Sequence, residues 1–235
     1  MKLITGDLSP YSAKVRMQLY AMGVQDVEFD LPASFFMGKL AEYSPIGRIP
    51  VLEVDEGIIP ESEVIAEYLD DCYPAQSLLG DTPWVRSQVR LISRIADIYL
   101  MNNIFMVLPQ IDRKTRVQAI TDLLTSQVKR GMGALERHIG EGSFAVGDKL
   151  TRADCTLVPA LFLCERTVPM LDVENPILST RRVAAYWQKI QDNEFAARVL
   201  DEMDRGLRAR QDGTERKLIE AAVAKERQQS TISTS

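Results

Sequence analysis

Residues 46–62, Ile-Gly-Arg-Ile-Pro-Val-Leu-Glu-Val-Asp-Glu-Gly-Ile-Ile-Pro-Glu-Ser, constrain the fold more than any other stretch of the chain. They read as a loop, a proline-led strand, a tight turn at Asp55-Glu56-Gly57, a second strand, and an acidic-polar pair starting a helix. Pro50 has no N–H to give to a sheet ladder, so it suits the first residue of an edge strand. The backbone of Ile49 is then left to pair with something other than protein. At Glu61-Ser62 a helix N-terminus offers unpaired N–H groups and the positive end of a dipole. The pattern predicts a platform for an extended ligand carrying both an amide and a carboxylate.

Around this hairpin the first 75 residues alternate in type. Lys2 to Thr5 is a short apolar strand, and Gly6-Asp7 turns into a polar loop. Val15, Met17, Leu19, Tyr20 and Met22 recur at helical spacing until Gly23 ends the helix. Val27 to Leu31 alternates like a half-buried strand, and a poorly marked segment, Ser34 to Tyr43, leads to the Ser44-Pro45 turn. Val64, Ile65, Tyr68 and Leu69 form the stripe of a last helix stopped at Tyr73-Pro74. This order, βαβ-α-ββα, describes a small α/β domain over residues 1–75.

After a linker at 76–83 the chain reads as helix throughout, an all-α domain over 84–212. Long helices are predicted over Trp84 to Met106 and about Lys114 to His138, with others near 180–192 and 194–210. Thr151 and Asp154 form a capping box in its looser Ser/Thr-x-x-Asp/Glu form, stapled by Leu150 and Cys155, and are read as structural. Residues 213–235 are a C-terminal extension, helical over 214–227 and disordered from Gln228 to Ser235.

Composition narrows the function classes. Residues 1–75 carry 5 Lys+Arg against 13 Asp+Glu, which argues against a nucleic-acid surface. No apolar run is read as approaching the ~18–20 residues of a membrane span. The three cysteines have no metal or redox spacing and suit a reducing, cytoplasmic compartment. The single histidine, His138, reads as a cation at a helix C-terminus, so no metal is expected. Glu136, Arg137 and Glu141 beside it read as a solvated face.

Ser9-Pro10-Tyr11-Ser12 lies between the first strand and the first helix, where α/β proteins place ligand groups. Thioredoxin-like redox proteins hold Cys-x-x-Cys there; both positions are serine in this chain, so this site cannot exchange disulfides. A serine can still donate a hydrogen bond to a thiolate belonging to a bound substrate. Ser9, Ser12 and Tyr11 all carry a suitable hydroxyl, and Ser9 alone would equally be read as a helix cap.

Four features in register, Ser9-Pro10-Tyr11, Gly47-Arg48-Ile49-Pro50-Val51, Glu61-Ser62, and the capping box followed by Asp154-Cys155-Thr156-Leu157-Val158-Pro159, resemble the cytosolic glutathione transferases, nearest in look to serine-type classes such as zeta and tau. The resemblance implies a thioredoxin-like N-terminal domain joined to an all-helical one, a symmetric homodimer, and glutathione as cosubstrate. It implies that Ser9 steadies the glutathione thiolate, with Ser12 and Tyr11 as alternatives. It further implies that Ile49, across a cis bond to Pro50, pairs with the cysteinyl part, that Glu61 and Ser62 hold the γ-glutamyl end, and that Arg48 adds a contact. A free thiol of pKa about 8.5 is only a few per cent ionised at pH 7, and lowering it to about 6.5 corresponds to about 2.7 kcal/mol. A charge-assisted hydrogen bond plus a helix N-terminus can supply this. Such enzymes place a Lys, His or Gln before the Ser44-Pro45 turn, where this chain has Phe35 and Phe36, so the glycyl carboxylate is left to Lys39, to a cation of the helical domain, or is poorly held. A small, largely apolar electrophile would meet Tyr99, Asn102, Asn103 and Met106, with Met101 and Phe105 beside them. Conjugation is the expected reaction. A zeta-type isomerisation, an ether cleavage and a catalytically silent binding protein are the alternatives.

Overall fold

The computed structural model describes residues 1–38 and 40–232. Strand β1 (Lys2–Ile4) runs parallel to β2 (Glu28–Asp30) and antiparallel to β3 (Val51–Val54), which pairs with β4 (Gly57–Pro60). The sheet order is therefore β2-β1-β3-β4. This corrects one expectation, because β3 is a central strand and not an edge. Pro50 sits one residue before the ladder, so its missing N–H removes no sheet bond. The Ile49-Pro50 peptide is cis, as the resemblance implied. Only Asp55 and Glu56 form the hairpin loop, since Val54 already pairs with Gly57.

Helix α1 (Pro10–Met22) starts at the Ser9 N-cap with Pro10 in its first turn and stops at Gly23, whose φ of 69° a side chain would strain. It is buried on two faces. Val15, Leu19 and Met22 pack with Leu3, Leu52, Ile65 and Leu69 of the sheet layer. Ala13 and Met17 belong instead to the core of the helical domain. Two short helices, α2 (Ala33–Phe36) and α3 (Leu40–Tyr43), fill the poorly marked segment, and α4 (Ser62–Cys72) follows the hairpin.

The helical domain opens with α5 (Pro83–Ile95), which continues through a π-helical stretch, Ala96–Met101, into α6 (Asn102–Val107). The whole run, Pro83–Ile111, is 29 residues and is long and apolar enough, by length and composition alone, to cross a membrane. That departs from the sequence reading, and 56% of its most apolar window lies buried in the protein. Helices α7 (Gln118–His138), α8 (Arg152–Thr167), α9 (Arg181–Ile190) and α10 (Glu194–Gln211) complete the domain around the buried α8. Asp154 holds the start of α8: it accepts from the Thr151 N–H at 2.8 Å and hydroxyl at 2.9 Å, the Ala145 N–H at 2.8 Å and the Tyr186 hydroxyl at 3.0 Å.

Two readings change. Glu136 is not a solvated face residue: its carboxylate accepts the Arg182 N–H at 2.8 Å and the Val183 N–H at 3.1 Å, capping α9 from α7. Helix α11 (Thr214–Ile232) extends five residues beyond 227, through part of the tail expected to be disordered. It turns back at Gly213 and packs against α2, because Leu218, Ile219 and Ala222 give it an apolar stripe.

Candidate active site

The loop from β1 to α1 is held from behind. Arg16 donates to the Thr5 hydroxyl at 2.7 Å, the Gly6 carbonyl at 2.9 Å, the Asp7 carbonyl at 3.0 Å and Glu202 of α10 at 2.7 Å. This fixes the chain immediately before Ser9. The Ser9 hydroxyl oxygen accepts the Ser12 N–H at 3.3 Å. A hydroxyl that accepts one bond keeps its own hydrogen to donate.

Ser9 and Tyr11 both line a cavity of about 910 Å³ between the two domains, within the usual range of small-molecule sites. Ser12 does not line it. It is fully buried, and its hydroxyl has no partner among the described residues. Tyr11 is half-buried with its ring stacked on Phe105 of α6, centroids 5.8 Å apart at 16°. Burial first, and the charge of Asp97 second, push the Tyr11 phenol up to about 12, so it stays protonated at neutral pH.

Gly47, Arg48 and Ile49 form the next part of the wall, with Pro50 buried behind them. Glu61 and Ser62 lie outside the cavity wall proper. Ser62 is the buried first residue of α4, whereas Glu61 is exposed with φ at 72°, a left-handed conformation that is strained for a side chain of this size. Its charge still reaches Tyr11 and raises the phenol.

The opposite wall is only partly as expected. Asn102, Phe105 and Met106 face the cavity, but Tyr99, Met101 and Asn103 do not. Met101 is fully buried in the helical core. The Asn103 amide donates to the Ile98 and Tyr99 carbonyls at 2.8 and 3.1 Å, satisfying backbone groups of the π-helical stretch. A π-helical turn shifts the facing of every later residue, which a fixed 3.6 spacing misses. Sequence reasoning also missed the roof. Gly206 and Arg210 of α10 and Leu218, Ile219 and Ala222 of α11 close the cavity over Phe35 and Phe36. The apolar spacing at 218, 219 and 222 was the available signal. Gly206 is required there, since a Cβ would come within 2.8 Å of the Leu8 nitrogen. Arg210 is held by Glu215 through bonds of 2.9 and 3.1 Å. Lys39, the expected carboxylate partner, falls outside the described residues. No group of three or more metal-ligating side chains occurs among the described residues.

Beside the cavity runs a buried charged seam. Lys14 of α1, fully buried, pairs with Glu63 of α4 and with Asp97 at 3.0 Å. Arg152 of α8, also fully buried, pairs with Glu63 at 2.5 Å and Asp70 at 2.9 Å. Burial alone would raise the Glu63 carboxyl, but Lys14 and Arg152 outweigh it and hold it below its ordinary value. At Asp97 burial prevails, so its carboxyl is raised in spite of Lys14.

This constellation agrees with known proteins. The model for the glutathione S-transferase N-terminal domain matches residues 3–77, and that for the C-terminal domain matches 118–186. A maleylacetoacetate isomerase of Pseudomonas aeruginosa is 32% identical over 194 residues, 78% of this chain and 89% of that protein. The chain belongs to the glutathione S-transferase family. The resemblance read from the sequence, including its two-domain fold and its transferase assignment, is borne out at this level. Another relative of this family member is a stringent starvation protein A homolog of Coxiella burnetii, 29% identical over 210 residues, 88% of this chain and 95% of that one. Among solved structures, a glutathione S-transferase of Methylobacterium radiotolerans in complex with glutathione sulfonate matches with a TM-score of 0.73 at 20% identity, covering 85% of this chain and 93% of its own. A zeta-class maleyl pyruvate isomerase matches with a TM-score of 0.68 at 21% identity, covering 85% and 96%.

Proposed function

We propose that this protein binds glutathione with its sulfur at Ser9 and transfers the thiolate to a small, largely apolar electrophile in the interdomain cavity. The observation that carries the reading is Ser9 itself. It caps α1 while lining the cavity, so its hydroxyl hydrogen and the positive end of the helix are both offered to one sulfur. The Ile49 backbone receives the cysteinyl amide, and Glu61 and Ser62 at the start of α4 receive the γ-glutamyl end. Arg48, on the cavity wall, is the available contact for the glycyl carboxylate. No covalent enzyme intermediate is needed, since electrostatic stabilisation of the thiolate suffices. Ser9→Ala is expected to lower kcat for thiol conjugation about 100-fold while leaving glutathione affinity by calorimetry nearly unchanged. Unchanged turnover would remove Ser9 from the role.

An isomerase acting through reversible thiolate addition is the second reading, favoured by the Pseudomonas aeruginosa relative. Among the described residues, the arginines that line the cavity are Arg48 and the Glu215-paired Arg210. We extend the proposal to a symmetric homodimer, supported by exposed Val64 and Ile98 on elements adjoined through the Arg90–Glu67 pair at 3.5 Å. The three free thiols favour a cytoplasmic location.

A further inference from the structure

The loop that presents Ser9 belongs to the N-terminal domain, yet its fastenings come from helix α10 of the helical domain. Ala196, Val199 and Met203 bury one face of α10 in the helical core. Glu202, Arg205 and Gly206 recur at helical spacing on the face that meets the loop. The Glu202 carboxylate is largely buried and held at both ends. One oxygen accepts from the Arg16 guanidinium at 2.7 Å, the other from the Tyr20 hydroxyl at 2.8 Å. Arg16 passes that hold to the Thr5 hydroxyl and to the Gly6 and Asp7 carbonyls. Arg205 pairs with the Asp7 carboxylate at 2.9 Å, and Gly206 lies against Leu8 with no room for a Cβ. Gly6, Asp7 and Leu8, the three residues before Ser9, therefore all rest on α10, directly or through Arg16.

We propose that Glu202 is a positioning residue for Ser9: by holding Arg16 from the other domain, it sets where the Ser9 hydroxyl meets the glutathione sulfur, and with it the acidity of the bound thiol. The inference rests on the transferase reading and deepens it. Geometry and charge pull in opposite directions at this point. Removing the Glu202 carboxylate takes away a negative charge and leaves Arg16 cationic, which by charge alone favours the thiolate. Loosening the loop spoils the distance and angle of the Ser9 hydrogen bond, which disfavours the thiolate. The sign of the change thus separates a positioning role from an electrostatic one.

Two measurements on the full chain read that sign. One is the pH at which half of the bound glutathione is ionised, followed by thiolate absorbance in the ultraviolet. The other is the pH profile of kcat/KM for benzyl chloride at saturating glutathione. Glu202→Ala is expected to raise both by about one pH unit, a roughly tenfold loss of thiolate on the acid side, with glutathione affinity by calorimetry within about threefold. Glu202→Gln keeps an oxygen to accept from Arg16 and is expected to stay within about 0.3 pH unit of the parent. Gly206→Ala presses on Leu8 instead of releasing Arg16 and is expected to raise the same pH with Glu202 in place. Arg208→Gln, which alters only the exposed pair with Asp204, is expected to leave it unmoved. A purely structural role would lower the melting temperature and the active fraction without moving the ionisation. A fall or no change in Glu202→Ala, or in Gly206→Ala should the first variant not fold, overturns the Glu202 role and leaves the transferase reading standing. Failure of the parent protein to bind glutathione, or bound glutathione that ionises like the free tripeptide, overturns the two together.

Discussion

The two domains meet in two places of opposite character. On one side, Lys14 and Arg152, both fully buried, join Asp70, Asp97 and the partly buried Glu63 in a charged seam. On the other lies the cavity, where aromatic and aliphatic side chains such as Phe105, Met106 and Ile219 alternate with polar ones such as Ser9, Arg48 and Asn102. Helix α1 serves both, with Lys14 in the seam and Ser9 and Tyr11 at its cavity end. The contrast teaches how a site between domains stays in register: charges that tolerate no misplacement lock the helix, and the nearby cavity can then remain unfilled. Burying so many charges is not itself a source of net stability. Its value lies in the penalty for any other arrangement.

The largest effect should come from breaking the seam. Arg152→Met leaves the buried Asp70 and the partly buried Glu63 with less counter-charge and is expected to lose about 3–5 kcal/mol in denaturant unfolding. A loss under 1 kcal/mol would mean that the seam is wetter than its burial implies. The pH response gives a milder test. Glu63 is held below its ordinary carboxyl value of 4.5, so its contribution is complete above that pH and is lost as pH falls toward its folded-state value. Glu63→Gln should therefore flatten the fall in melting temperature below pH 4.5, while an unchanged acid slope would take the seam out of acid denaturation. Asp97, whose carboxyl is raised, works in the opposite direction and loses stability as pH rises. The smallest effect probes the cavity roof. Ile219→Ala removes apolar surface facing the acceptor, and KM for an apolar electrophile should rise about fivefold at nearly constant kcat, on the order of 1 kcal/mol. No change in KM would place α11 outside the acceptor site.

The N-terminal elements around the candidate site were legible because their marks are local, although Glu61 and Ser62 lie outside the cavity wall. A proline before a strand, a serine before a helix and Glu61-Ser62 at a helix start each announce themselves within a few residues. The position of β3 inside the sheet was not, since strand order is settled by pairing with Lys2–Ile4 far away in sequence. On the acceptor side the facing of Tyr99 through Met106 depends on the π-helical stretch, for which the sequence carries no local mark. Lys14 and Arg152 look like ordinary helix-surface cations, and only their partners across the domain boundary reveal them as buried. Glu136 was misread for the same reason: what it caps begins at Arg181, on another helix.

The seam also orders events in time. Chains leave the ribosome N-terminus first, and domains generally fold as they emerge. Asp70 and Glu63 appear 82 and 89 residues ahead of the arginine that bridges them, with Lys14 already made to pair with Glu63. Until α8 has been made, the thioredoxin-like unit carries Asp70, and one side of Glu63, turned toward a surface that does not yet exist. It is a half-built mould during synthesis, finished only by the domain it is about to receive.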